Sequence, residues 1–281
     1  MDFDGSFSLI GPHATDALRA KVEALGADDW LEDGWRQHVY RPHRESNTIL
    51  LMFDKDYRHD APTKLAAHAR FDAEMQAIYR RLEGHYGTGY PVRALFARLP
   101  PEARVHPHSD AGFSLTNSHR VHLPVVTHPS AWFTVGGETK AVPYGELWEI
   151  NNQREHSCHN QGDRDRVHLL VDWVIPGELR FFRPDPKFTV HLRLAPGAKV
   201  ETPLGRPHLV VVTAADVDPV ELELTRELEP LARWLRMQKK AFTPHDARAG
   251  VPSLSESQIN EVLDILVRAE VVQHSFHPFT T

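Results

Sequence analysis

Between Tyr90 and Ile175 the chain is divided into short apolar segments by Gly, Pro, Asn and Asp. The segments are VRALFARL, RVHLPVV, AWFTVG, GELWEI and RVHLLVDWVI. Strands this short and this closely spaced leave no room for βαβ crossovers, so they must pair antiparallel in a sandwich or barrel. The expected fold is therefore mainly β with flanking helices, an antiparallel sandwich or barrel. Ahead of it, ATDALRAKVEAL and TKLAAHARFDAEMQAIYRRLEGHYG carry apolar residues at helical spacing, the second running to a glycine cap. NTILLMF between them reads as a buried strand.

Beyond the barrel come two strand-like pieces, TVHLRLA and HLVVVTA, and then a helical tail from about Asp218. ELELTRELEPLARWLRMQ is amphipathic, with Leu224, Leu228, Leu231 and Leu235 on one face. TPHDARAG predicts a short helix capped by Thr243 with Pro244 at its first position. SESQINEVLDILVRAEVV opens with a capping box, Ser255 and Gln258, and turns Ile259, Val262, Leu263 and Leu266 inward. The expected division is 1–217 for the barrel with its N-terminal helices and 218–281 for a helical, winged-helix-like C-terminal module. Pro219 to Val272 holds nine acidic and seven basic residues, a net of −2. A DNA-reading module would carry positive charge, so a packing or protein-binding role is expected. Peptide recognition, cover over the barrel and homodimer formation remain open for it.

Charge and cysteine content narrow the function classes. The formal net charge is −6, so no nucleic-acid partner is expected. A single cysteine, Cys158, allows no internal disulfide and fits a reducing compartment. The N-terminal stretch does not read as a signal peptide, and no run approaches the ~20 apolar residues of a membrane span. A cytoplasmic protein is expected. Its 19 histidines direct attention to metal or proton chemistry.

The polar cluster RVHPHSDAG, residues 104–112, is out of place on a strand, since His and Asp are costly to bury without partners. On an extended backbone His108 and Asp110 point to one side. NNQREHSCHNQGDRDRVHLLVDW offers a third ligand, His156 or His159, and the parity of His159 turns it away. Two histidines and a carboxylate form the facial triad of non-heme Fe(II) oxygenases, with the opposite face open. Arg166 begins the next strand. A turn at NQGDRD is expected to fold that strand back antiparallel to the strand of His156, placing Arg166 in the same interior. A guanidinium there can clamp a carboxylate in bidentate fashion, such as the distal end of 2-oxoglutarate.

The stretch from about Val92 to Val174 resembles the aspartyl/asparaginyl beta-hydroxylase family of 2-oxoglutarate dioxygenases, which includes bacterial free-proline hydroxylases. HPHSD, TNSHRVHLPVV, GGETKAVPYGELWEINNQREHS and DRVHLLVDW carry the likeness. The resemblance implies a double-stranded β-helix (jelly-roll or cupin-like) barrel, with Fe(II), 2-oxoglutarate and dioxygen. His108 and His156 match the metal histidines, and Arg166 matches the 2-oxoglutarate arginine. Arg120 and His122 match residues lining the co-substrate pocket, and both can face inward because Val121 separates them. Vertebrate members have glycine where this chain has Asp110; here, as in the proline hydroxylases, a complete triad is expected. The substrate class implied is an amino acid, free or within a peptide or protein, of Asp/Asn or Pro type.

Other residues have plainer expected roles. His106 is an edge residue, Arg164 a solvated turn residue, and Trp148 and Trp173 belong to the core. Asn151 and Asn152 form a turn, with a substrate contact left open by the resemblance, and Cys158 is inert packing. Arg41, Arg44 and Arg104 are surface groups or receivers of a substrate carboxylate. Two alternatives stand beside the dioxygenase: a cupin-like metal-binding sensor or isomerase without 2-oxoglutarate, and a transcription regulator. Pairing of Arg166 with Asp163 or Asp165 would favour the sensor.

Overall fold

The computed structural model describes residues 3–31, 41–53, 63–110, 113–175, 181–182, 190–203, 209–214, 217–223 and 229–275. Among the described residues, eleven strands lie in the first part of the chain: β1 (Phe7–Pro12), β2 (Asn47–Phe53), β3 (Thr63–Lys64), β4 (Tyr90–Leu99), β5 (Arg104–His108), β6 (His119–Val126), β7 (Ala131–Val135), β8 (Glu138–Lys140), β9 (Glu146–Ile150), β10 (His156–Asn160) and β11 (Arg166–Val174). They form a seven-stranded sheet in the order β1-β9-β6-β11-β4-β2-β3 and a four-stranded sheet in the order β5-β10-β7-β8. From β4 to β11 the chain passes repeatedly from one sheet to the other, which is the winding of a jelly roll. The mainly-β expectation holds.

Each sheet face is chosen by alternation. On β11, Val167, Leu169, Val171 and Trp173 pack into the larger core cluster. That cluster includes Met75, Ile78, Tyr79 and Leu82 from one helix and Leu18 and Val22 from another. The first of these helices, Asp72–Tyr86, spaces its four apolar residues along one stripe, and burying each stabilises the fold by about 2 kcal/mol. It stops at Gly87, whose φ of 98° is glycine territory and whose N–H returns to Glu83 O at 2.8 Å. The opposite face of the large sheet meets the small one: Leu99 and Ile150 pack with Phe133, Val135 and Cys158. Strand β11 is consequently buried at all nine positions.

Three expectations need correction. First, β10 and β11 do not pair. β10 lies between β5 and β7, whereas β11 lies between β4 and β6 in the other sheet. The 161–165 segment is thus a crossover and not a hairpin turn; Arg166 still reaches the space between the sheets, but from the opposite wall. Second, the start of the TKLAAHARF segment is not α-helical. Thr63–Lys64 adds to the edge of β2, and Ala66–Phe71 winds as 3-10 helix before the α-helix begins. Third, the compact units divide between Ile175 and Pro176, earlier than the 217/218 boundary. The reason is strand pairing within the second unit: β12 (His191–Leu194) lies antiparallel to β16 (Val272–Ser275), so the pieces after the barrel fold with the tail.

In that second unit β13 (Lys199–Glu201), β14 (Leu209–Ala214) and β15 (Val217–Glu223) form an antiparallel meander. β15 occupies the start of the expected amphipathic helix, and the described helix there is Glu229–Arg236, with Leu231 and Leu235 buried. Leu224 and Leu228 lie outside the described residues. The helices Pro244–Gly250 and Glu256–Arg268 carry the expected caps at Thr243 and Ser255, each a complete capping box. Ile259, Val262, Leu263 and Leu266 are buried as expected. Among the described residues no helix is long and apolar enough to cross a membrane.

Candidate metal centre

β5 is the edge of the small sheet, and its last residue, His108, lies directly opposite His156, the first residue of β10. Asp110 follows just past the strand end, anchored by its N–H to Asn152 O at 3.1 Å. One ligand atom from each of His108, Asp110 and His156 lies within 4.8 Å of the others. The imidazoles are oriented alike. His108 Nδ1 is 2.7 Å from His106 O, and His156 Nδ1 is 3.0 Å from Arg154 O. A carbonyl can only accept, so both Nδ1 atoms carry the proton and both Nε2 atoms offer a lone pair. His108 Nε2 is buried with no partner. Backbone carbonyls fixing the tautomer of two histidines beside a carboxylate is the usual support for metal ligation, and the residues fit a divalent metal ion.

Burial lowers the pKa of His156 to about 4, although Asp110 pulls it upward, so the ring stays neutral and available. Burial would raise Asp110, but the charge of Arg120, with His156 and the Asn152 hydrogen bond, outweighs it and holds the carboxyl well below its usual range. Asn152, fully buried, donates from Nδ2 to Asp110 Oδ2 at 3.1 Å and to Leu115 O at 2.8 Å. It does more than shape a turn.

The cavity beside the triad is lined from both sheets, including Leu99, Arg120, His122, Ile150, Arg166 and Leu170 from one and Phe133 and Cys158 from the other. Arg166 is buried, donates from Nη2 to His168 Nδ1 at 2.8 Å and lies 5.6 Å from the Phe133 ring centroid. Among the described residues no carboxylate pairs with it: Asp165 lies 3.6 Å from Arg98, and Asp163 lies 3.6 Å from Arg164. Burial accordingly pushes the Arg166 pKa down. His122 also lines the cavity, with both ring nitrogens buried and without partners. Arg120 lines it too, but its guanidinium is committed to Asp110 and Asp172.

The remaining expectations sort cleanly. His159 faces away from His156 and accepts from Arg104 Nε at 3.2 Å. His106 pairs with Glu45 at 3.2 Å at the sheet edge, and Arg164 is solvated. Trp173 is core, whereas Trp148 is half-buried with Lys140 over its ring at 4.2 Å. Cys158 is buried packing whose thiol pKa burial raises. Sequence reasoning missed Asn152 as an Asp110 partner, His43, His168 and Asp172. His43 stands edge-on to His108 with ring centroids 4.8 Å apart. His168 and Asp172 share the strand face of Arg166, so β11's alternation could have found them.

Two facing antiparallel sheets with this cluster at one end define a jelly-roll protein with a site fit for a metal ion. Residues 65–176 match the aspartyl/asparaginyl beta-hydroxylase family model, and that stretch holds the whole His108, Asp110, His156 cluster. Among solved structures, an oxidoreductase of the 2OG-Fe(II) oxygenase family from Burkholderia pseudomallei is similar at 14% identity, over 46% of this chain and 67% of that one, with a TM-score of 0.38. The non-heme monooxygenase ThoJ, in a nickel complex, is similar at 13% identity over 61% and 74% of the two chains, with a TM-score of 0.40. EvdMO1 is similar at 16% identity over 61% and 47%, with a TM-score of 0.41. No curated protein matches the chain.

Proposed function

We propose that the chain is an Fe(II)- and 2-oxoglutarate-dependent dioxygenase that hydroxylates an unactivated C–H of an amino acid, free or within a peptide or protein. One observation carries this reading: two histidines with Nε2 lone pairs, clustered with a carboxylate, line the same cavity as a buried guanidinium that no carboxylate pairs with among the described residues. His108, Asp110 and His156 would hold the metal. Arg166 would bind the distal carboxylate of 2-oxoglutarate, and His122 would meet the same co-substrate from β6. Bound there, iron with 2-oxoglutarate and dioxygen supplies the oxidising power for hydroxylation. The protein's part is to fix the ligands, to place an anion on Arg166 and to keep the site dry through Phe133, Leu170 and Ile150.

The absence of an Arg166–Asp163 or Arg166–Asp165 pair among the described residues favours this reading over a sensor without 2-oxoglutarate. The second unit's three helices followed by β16 support a winged-helix-like module with a protein-binding role, self-association included. A reducing, cytoplasmic setting fits the single buried thiol.

The test is anaerobic titration with Fe(II) and 2-oxoglutarate, followed by visible absorption, with Asp110→Ala and Arg166→Ala alongside. A charge-transfer band in the wild type is expected, abolished in Asp110→Ala and needing far more co-substrate in Arg166→Ala. Iron binding with no band at any 2-oxoglutarate concentration overturns the reading. Succinate release over a panel of amino acids and peptides then identifies the substrate.

A further inference from the structure

We infer that Asp172 is a positioning residue for Asp110, acting through Arg120; the inference rests on the metal-site reading above. Asp172 and Arg120 stand directly opposite one another on β11 and β6. Arg120 donates Nε to Asp172 Oδ1 and Nη2 to Asp172 Oδ2, both at 2.8 Å. This two-point grip fixes the plane of the guanidinium and leaves Nη1 to reach Asp110 Oδ2. Asn152 donates to the same oxygen. Two donors therefore fix Oδ2, the oxygen that faces His156 Nε2 at 3.9 Å, and with it the plane of the carboxylate.

Charge makes the same case. On the other side of Asp172, Arg93 of β4 approaches Oδ2 at 3.7 Å. Arg120, Asp172 and Arg93 thus alternate in sign across three neighbouring strands, with Asp110 continuing the alternation from beyond the end of β5, in a region where Arg120 and Asp172 are 3% and 1% exposed. Without Asp172 the buried charge of Arg120 would have Asp110 as its remaining carboxylate, and would compete with a metal for it. Asp172 keeps that charge satisfied, so that Asp110 stays a ligand.

The experiment is Mn(II) binding to the full chain without co-substrate, read from the electron paramagnetic resonance of free Mn(II). Asp172→Asn keeps the shape and removes the charge, and is expected to weaken Mn(II) binding by about tenfold or more. Adding Arg120→Met to it removes the competing cation and should recover part of the affinity, which a merely structural role for Asp172 would not do. Should Asp172→Asn fail to fold, Arg120→Lys takes its place: lysine keeps the charge but has no planar fork to grip Asp172 at two points while reaching Asp110, and a similar weakening is expected. Wild-type affinity in Asp172→Asn or Arg120→Lys, or a double variant no tighter than Asp172→Asn, overturns the inference alone. A wild-type protein that binds no Mn(II) overturns the metal-site reading and this inference with it.

Discussion

Arg166 donates from Nη2 to Nδ1 of His168 at 2.8 Å, and the two lie on one face of β11 with Leu170 and Asp172. Arginine can only donate, so His168 accepts at Nδ1 and carries its proton on Nε2. A neutral imidazole thus steadies a guanidinium without neutralising it, and its charge is kept for a ligand. His168→Ala is expected to raise the 2-oxoglutarate requirement about tenfold, while Mn(II) affinity stays as in the wild type. His168→Gln, whose amide oxygen can still accept, should recover much of the loss. Equal co-substrate affinity in His168→Ala would remove this role.

The same burial predicts a pH dependence of stability. Burial first, and the charge of Arg166 second, hold His122 and His168 well below the ordinary 6.5. As pH falls through 6.5 the unfolded chain takes up protons at these positions and the folded protein does not. Their contribution is therefore complete above that pH and is lost below it. With two groups the loss steepens toward about 2.7 kcal/mol per pH unit. Urea midpoints should fall between about pH 7.5 and about pH 5.5, and His168→Gln should flatten the slope by one proton. An unchanged slope in that variant would show that His168 is charged in the fold.

Asn152 ties the triad to the short helix Phe113–Thr116. Its Nδ2 serves both Asp110 and the carbonyl of Leu115. Asn152→Ala leaves those acceptors short of a buried donor, and a loss of about 1–3 kcal/mol in stability is expected, with weaker Mn(II) binding. Thermal melting and metal titration of the same preparation check both. Wild-type Mn(II) affinity would confine Asn152 to a structural role.

Much of this site was legible in local pattern. On β11, Arg166, His168, Leu170 and Asp172 alternate with Val167, Leu169, Val171 and Trp173, so strand period alone assigns one face to the cavity and the other to the core. His108 and His156 were visible through the company they keep. What was hidden depends on distant chain. Nothing in NQGDRD separates a hairpin turn from a crossover, because β4 and β6 decide where β11 pairs. His43 reaches His108 from a 3-10 turn far upstream, and β15 replaces the start of an apparent helix because β14 offers it a partner. Helical spacing cannot reveal a competing strand.

The crossover itself rests on Asn160, the last residue of β10. Its Nδ2 donates to Leu99 O at 2.8 Å, Pro100 O at 3.0 Å and Arg164 O at 2.8 Å. Its Oδ1 accepts from His128 Nε2 at 2.8 Å and from Gly162 N at 3.2 Å. One buried amide thereby joins the end of β4 to both ends of the segment that delivers Arg166 to the opposite sheet. Asn160→Ala frees several buried groups at once, and a cost of about 3 kcal/mol or more is expected. Asn160→Asp keeps the acceptor but loses the donors, so it should not rescue. Beside it, Gly162 has no room for a side chain, since a Cβ would lie 1.8 Å from His128 Cε1. Gly162→Ala should therefore displace that ring and loosen the same segment. If the crossover sets the position of Arg166, both variants will raise the 2-oxoglutarate requirement more than they weaken Mn(II) binding, because His108, Asp110 and His156 belong to the other end of β10. Equal losses of both would mean that the segment serves stability alone.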